Sequence, residues 1–203
     1  MIAKGCLTWV FSPLILFILS LIFFYNNSLS FIVLIPIGFI TIFFLIFFRD
    51  PDRIIGEGIV SPADGIIRDL RIEKNQVFIS IFMGITNVHV NRIPIDGTIT
   101  QINHFKGKHL RAYKKESEFN ERVKIDIDSP IGKVQVIQIA GLIARRIYPY
   151  IKKNDTLKKG DKIGIIRFGS RVDIYLPVNK IKKVNIKIKD NVYAGVTTLA
   201  EIK

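Results

Sequence analysis

Charge is nearly missing from the first quarter of this 203-residue sequence: residues 1–48 hold one charged side chain, Lys4, and no acid. Such a segment has almost no charged surface to offer water. Cysteine is equally scarce. The single Cys6 excludes an intrachain disulfide framework and any cysteine-rich zinc site. The three histidines, His89, His104 and His109, lack the short spacings to cysteine or carboxylate that zinc binding needs, so no metal is expected. No glycine-rich run opens a helix, which excludes a phosphate loop. Recognition-helix patterns, zinc-finger spacings and aromatic RNA-binding signatures are also missing. Nucleic acid is therefore not an expected partner, despite a net charge of +13.

What is present falls into two parts. "WVFSPLILFILSLIFFY" (Trp9–Tyr25) and "LSFIVLIPIGFITIFFLIFF" (Leu29–Phe48) are uncharged. At 1.5 Å per residue the second reaches about 30 Å, the thickness of a hydrocarbon core. A minimal polar turn, "NNS", joins them, so residues 1–48 read as a membrane-associated helical hairpin. Pro13, Pro36 and Gly38 do not oppose this, because membrane helices tolerate them. Lys4 on one side, Arg49 and Arg53 on the other, and an uncharged turn between put both ends in the cytoplasm. The expected location is the cell (inner) membrane, with the following domain on its cytoplasmic side. A signal peptide is the rival reading of the first segment, but it lacks a short apolar core followed by a small-residue cleavage site. Residues 49–203 carry 29 basic against 17 acidic residues, a net +12. Beside an anionic leaflet each basic residue adds about 1 kcal/mol of attraction, so membrane lipid is the expected partner.

From Ile59 onward the sequence alternates short β-rich runs with turns, the pattern of a sandwich or barrel. "GIVSPADGII" is strand, turn, strand. "QVFISIFM", "GTITQI", "VKIDID", "GKVQVIQIA" and "KKVNIKIKD" are strand-like, and "LKKGDKIGIIRF" is a turn entering a strand. A helical turn is expected only within Gly141–Ile151, where Pro149 limits it. "HLRAYKKESEFNERV" reads as a charged loop, with His104 and His109 as surface residues in or beside it. The fold class is mainly β behind an N-terminal hydrophobic hairpin. The turns near residues 62 and 160 resemble the two halves of a lipoyl/biotinyl-like β-sandwich of the barrel-sandwich hybrid type. That likeness opens a non-enzymatic reading, a membrane-tethered carrier or adaptor. Asp161-Lys162 sits at a strand entrance rather than at the hairpin tip a carrier needs, and the long heptad hairpin of an export adaptor is missing.

Three β segments carry side chains suited to chemistry. His89 lies among alternating valines, between Asn87 and Asn91. Asp64 lies in the turn "SPADGI". Ser170 follows Gly169 inside a strand pattern, where glycine marks a bulge, a bend or a close backbone approach. A hydroxyl, an imidazole and a carboxylate can form a nucleophile, base and orienter. The strand, G-x-S-x-G and helix of a nucleophile elbow are missing, which disfavours an ordinary hydrolase. A membrane-anchored serine hydrolase that leaves its chain intact nevertheless stays open.

Six motifs then occur in one order: "FFRDPDR", "VSPADG", "NVHVNRIP", "FNER", "IAGLIARRI" and "IRFGSRVDIYLP". In this series the chain resembles the short, self-processing phosphatidylserine decarboxylases over nearly its whole length. The resemblance implies that Ser170 attacks the Gly169 carbonyl and turns the amide into an ester. Elimination would then release residues 1–169 as a carboxylate, and hydrolysis would leave ammonia and a pyruvoyl group at Ser170. The product would be a heterodimer of chains 1–169 and 170–203, and glycine at the attacked carbonyl minimises crowding. The pyruvoyl cofactor would form a Schiff base with phosphatidylserine and accept the electrons released with CO₂, giving phosphatidylethanolamine. Archaetidylserine is the alternative substrate, because its headgroup is the same. The resemblance further implies that Asp64 supports His89, and that His89 serves Ser170 as base and later donates a proton. Longer members of the family have a second histidine where this chain has Arg92, which would leave one histidine to serve both steps. Arg92, Arg167 and Arg171 are the candidates for holding the lipid phosphate or carboxylate.

Overall fold

The computed structural model describes residues 1–23, 30–107, 120–141, 146–167 and 170–203. The chain divides into two compact units, Met1–Asp52 and Arg53–Lys203. The boundary drawn from charge alone, at residue 48, falls inside the first unit. There the backbone closes on itself: Ala3 N–H donates to the Phe48 carbonyl and Asp50 N–H to that of Met1.

The first unit is a helical pair, α1 (Leu7–Phe23) and α2 (Ser30–Phe47). Aromatic edges join them, with Trp9 and Phe44 centroids 6.1 Å apart. Outward positions on both helices are apolar, including Phe11, Ile15, Leu19, Ile35, Phe39 and Ile42. A helix apolar on all sides belongs in a protein core or in lipid. With 17 and 18 residues the helices rise about 26 and 27 Å. Among the described residues no helix is long and apolar enough to cross a membrane. The described helix of the second segment begins at Ser30 and ends at Phe47.

The second unit is built from antiparallel strands. Eight form one sheet in the order β13-β2-β3-β11-β7-β6-β5-β9: Asn191–Val192, Gly65–Ile72, Gln76–Met83, Ser170–Pro177, Gly132–Ala140, Arg122–Ser129, Gly97–Phe105 and Thr156–Leu157. Two three-stranded sheets accompany it. One is β1 (Ile59–Val60), β14 (Thr198–Ile202) and β12 (Ile181–Val184); the other is β4 (Val90–Arg92), β10 (Lys162–Ile166) and β8 (Ile147–Pro149). Period-two alternation sends Val77, Ile79 and Ile81, Val172 and Ile174, and Val134 and Val136 into one apolar core. Cross-strand pairing fixes that register, with Val172 opposite both Ile81 and Gln138.

Two expectations are corrected. Within "GLIARRIYPYI", residues 142–145 lie outside the described residues, and Ile147–Pro149 is strand rather than helical turn because it pairs with β10. "KKVNIKIKD" is strand only to Val184. Beyond it the Asp190 carboxylate takes the Lys187 N–H at 2.9 Å and Lys189 adopts a φ of 79°, so the chain turns instead of extending. Of the charged loop only residues 120–123 are described, and His109 lies outside the described residues. His104 is a half-exposed β5 residue bonded to Glu121 at 2.8 Å.

Candidate active site

Ser170 opens β11, the central strand of the large sheet, opposite Met83 on one side and Ala140 on the other. Its side chain faces the core and is fully buried, and among the described residues its Oγ has no hydrogen-bond partner. An unsatisfied buried hydroxyl costs about 1–3 kcal/mol, so a position that holds one invites a chemical explanation. Phe168 and Gly169 lie outside the described residues.

His89 precedes β4 and is fully buried. Its carbonyl accepts from Ile166 N–H at 3.3 Å, which ties it to the segment leading into Ser170. Its Nδ1 is 2.8 Å from the Asn87 carbonyl oxygen. A carbonyl only accepts, so Nδ1 carries the hydrogen and the neutral ring keeps its lone pair on Nε2. A tight turn holds Asn87 in place: its side-chain oxygen accepts from Gly84 N–H at 2.8 Å.

Asp64 is buried in the turn between β1 and β2. Its Oδ2 pairs with Arg53 Nη2 at 2.9 Å, and its Oδ1 accepts from Ala194 N–H at 2.8 Å. The Arg53 guanidinium also lies over the Tyr193 ring, 5.9 Å from its centroid. The atom holding His89 Nδ1 is thus the Asn87 carbonyl oxygen, while the Asp64 carboxylate fastens Arg53 and the 193–194 segment. The Asp64 turn still reaches β4, because Arg92 N–H donates to the Pro62 carbonyl at 2.9 Å. Gly65 is required there, since a Cβ would run into the Phe82 carbonyl.

The three arginines separate. Arg92 is buried and donates from Nη1 to the Gly160 carbonyl at 2.8 Å. Arg171 lies on the face of β11 opposite Ser170 and pairs with Asp173 at 3.0 Å, while Asp173 also accepts from Ser80 at 2.7 Å. Arg167 immediately precedes the undescribed Phe168–Gly169 step and lies over Tyr148, 5.8 Å from the ring centroid. Among the described residues no group of three or more histidine, cysteine or acidic side chains could hold a metal.

The phosphatidylserine decarboxylase family model matches residues 40–200. A Streptomyces avermitilis protein named phosphatidylserine decarboxylase proenzyme is 40% identical over 200 residues, 98% of this chain and 92% of its own length. Two Methanosarcina proteins provisionally named archaetidylserine decarboxylase proenzyme match the whole chain and 98% of their own. The one from Methanosarcina mazei is 43% identical, and the one from Methanosarcina acetivorans 44%. The chain belongs to the phosphatidylserine decarboxylase family.

Within that family assignment, the structure adds two residues that sequence reading passed over. Arg53, read only as a flanking positive charge, is the ion-pair partner of Asp64. Gln138 is fully buried on the face of β7 that otherwise carries Val134, Val136 and Ala140. A signal existed in "GKVQVIQIA": Gln138 stands in phase with the inward valines, where a polar side chain breaks the alternation.

Proposed function

We propose that this chain cuts itself between Gly169 and Ser170 and then decarboxylates phosphatidylserine to phosphatidylethanolamine. The observation that carries the reading is the buried Ser170 hydroxyl, which has no hydrogen-bond partner among the described residues. It lies on a core-facing surface where Met83, Ala140 and Val172 exclude water. A hydroxyl kept dry and uncommitted suits a group that is to be converted, and the apolar walls suit loss of CO₂ from a carboxylate. The pyruvoyl group made from Ser170 would supply an electrophilic carbonyl and an electron sink. His89 Nε2 is the nitrogen that takes the hydroxyl proton and later returns one to the product, since Nδ1 is engaged by Asn87. Asp64 acts from farther off, holding Arg53 and the 193–194 segment against the β4 side of the site. Arg167, which immediately precedes the cleavage step, is our choice for the lipid phosphate, with Arg92 and Arg171 as the other candidates.

On this reading the mature protein is a heterodimer of chains 1–169 and 170–203, held together by the pairing of β11 with β3 and β7. We place it on the cytoplasmic side of the cell membrane, supported by the outward apolar positions of α1 and α2 and by the basic second unit. We also read that unit as lipoyl-like. In support, the two resembling turns meet at β4, where Arg92 N–H reaches Pro62 and Ile93 N–H reaches Asp161. Archaetidylserine is a second substrate reading, favoured by the Methanosarcina relatives. Purified protein should release CO₂ from one or both lipids in detergent micelles, and Ser170→Ala should release none. Equal release from Ser170→Ala would contradict the proposal.

A further inference from the structure

The second orphaned polar atom of the core-facing surface is Gln138 Oε1, which is buried and has no hydrogen-bond partner among the described residues. Its orientation follows from its neighbours. Asn91 Nδ2 lies 3.7 Å from Met83 Sδ, and a thioether sulfur can only accept. The Asn91 oxygen therefore points away from Met83, and it accepts from Gln138 Nε2 at 2.8 Å. With its nitrogen committed, Gln138 must present Oε1 as an open acceptor. Gly164 keeps room for this amide, since a Cβ there would lie 3.1 Å from Gln138 Nε2.

The acceptor belongs to the face that carries Ser170. Gln138 stands opposite Val172 on β7, and Ser170 stands opposite Ala140, so the two side chains share a face as diagonal neighbours on adjacent strands. Such positions lie about 7–8 Å apart, within reach of a glutamine side chain. His89 is two residues before Asn91, the residue whose amide meets Gln138.

We propose that Gln138 Oε1 binds the amine of the serine headgroup and presents it at the position of the Ser170 side chain. This rests on the decarboxylase reading and adds the part of the substrate that this residue recognises. The amine arrives as an ammonium, the strong N–H donor that an open buried acceptor fits. A carboxylate at this place would hold the ammonium protonated. A neutral amide oxygen binds it less tightly, through hydrogen bonding alone, and lets one proton pass to His89 Nε2, leaving a nucleophilic amine.

The test uses full-length protein in detergent micelles and the variants Gln138→Met and Gln138→Glu. Cleavage is followed on a denaturing gel. Equilibrium binding is measured by calorimetry with two short-chain lipids: phosphatidylethanolamine, and phosphatidylpropanol, which has a methyl group in place of the ammonium. Wild-type protein should prefer the amine lipid by about tenfold or more, the scale of a hydrogen bond to a charged group. Gln138→Met should mature and lose that preference. Gln138→Glu should bind the amine lipid more tightly yet turn phosphatidylserine over more slowly, an opposition that a packing role would not produce. A matured Gln138→Met protein with the wild-type preference would overturn the proposal. So would failure of both variants to mature, which would make Gln138 a residue of the fold. A wild-type chain that neither cleaves nor decarboxylates would instead overturn the reading beneath it.

Discussion

His89 illustrates what one residue can and cannot disclose in sequence. Its place among alternating valines fits a core residue, and only its likeness to the family histidine suggested a base; the structure shows which ring nitrogen is engaged. Its orienting partner was not legible, because the Asn87 carbonyl belongs to the backbone and no side-chain pattern records it. General acid–base groups contribute about 10²–10⁴-fold, so His89→Ala should lower turnover by that factor. Self-cleavage happens once per molecule and should slow yet continue over hours. Stopped time courses on a denaturing gel, beside initial rates of CO₂ release, separate the two effects; wild-type turnover by matured His89→Ala protein would remove His89 from the chemistry. Arg53 and Asp64 carry a second residue-scale prediction. Both side chains of this pair are largely buried, with 14% and 4% exposure. Removing one partner of a buried pair destabilises by about 3–5 kcal/mol, because a buried charge is left uncompensated. Arg53→Met should therefore lose about that much in chemical denaturation, and Arg53→Met combined with Asp64→Leu should recover part of it. Additive losses would show that the pair does not act as one unit.

At the scale of elements, the strands were legible wherever one face meets the core. "QVFISIFM" and "GKVQVIQIA" alternate because their inward positions fill the apolar interior, and both became strands over their full lengths. Alternation failed in "KKVNIKIKD", where Ile186 and Ile188 keep the period while Asp190 captures the backbone and bends it. A pattern of side chains cannot report such a local competition for an N–H group. The crossing between β10 and β7 offers a test. A Cβ at Gly164 would lie 2.8 Å from the Tyr148 carbonyl oxygen as well as against Gln138. Gly164→Ala should cost about 1–3 kcal/mol, the usual range for overpacking a close contact. Unchanged denaturation midpoint and slope would show that β8 and β10 can separate freely.

For the whole molecule, nearly all charge follows residue 48, and the structure divides into units 1–52 and 53–203. Convergence was not announced. Gln138 meets Asn91 and shares a face with Ser170 through strand pairings between distant segments, and pairing of that kind leaves no mark on any one of them. The second unit has its own core and sheets, so a chain lacking residues 1–52 should fold and cleave itself. Its activity on bilayer lipid should fall while activity on micellar lipid largely survives. A truncated chain that stays uncleaved would make the hairpin part of the catalytic fold.

The most direct measurement is the intact mass of purified full-length protein, taken beside its decarboxylase activity. Two components are expected, residues 1–169 and the 34-residue segment 170–203, the smaller without a free amino terminus, while Ser170→Ala remains one inactive chain. A single uncut chain of 203 residues that decarboxylates phosphatidylserine at full rate would contradict the central claim that Ser170 is the source of the reactive group.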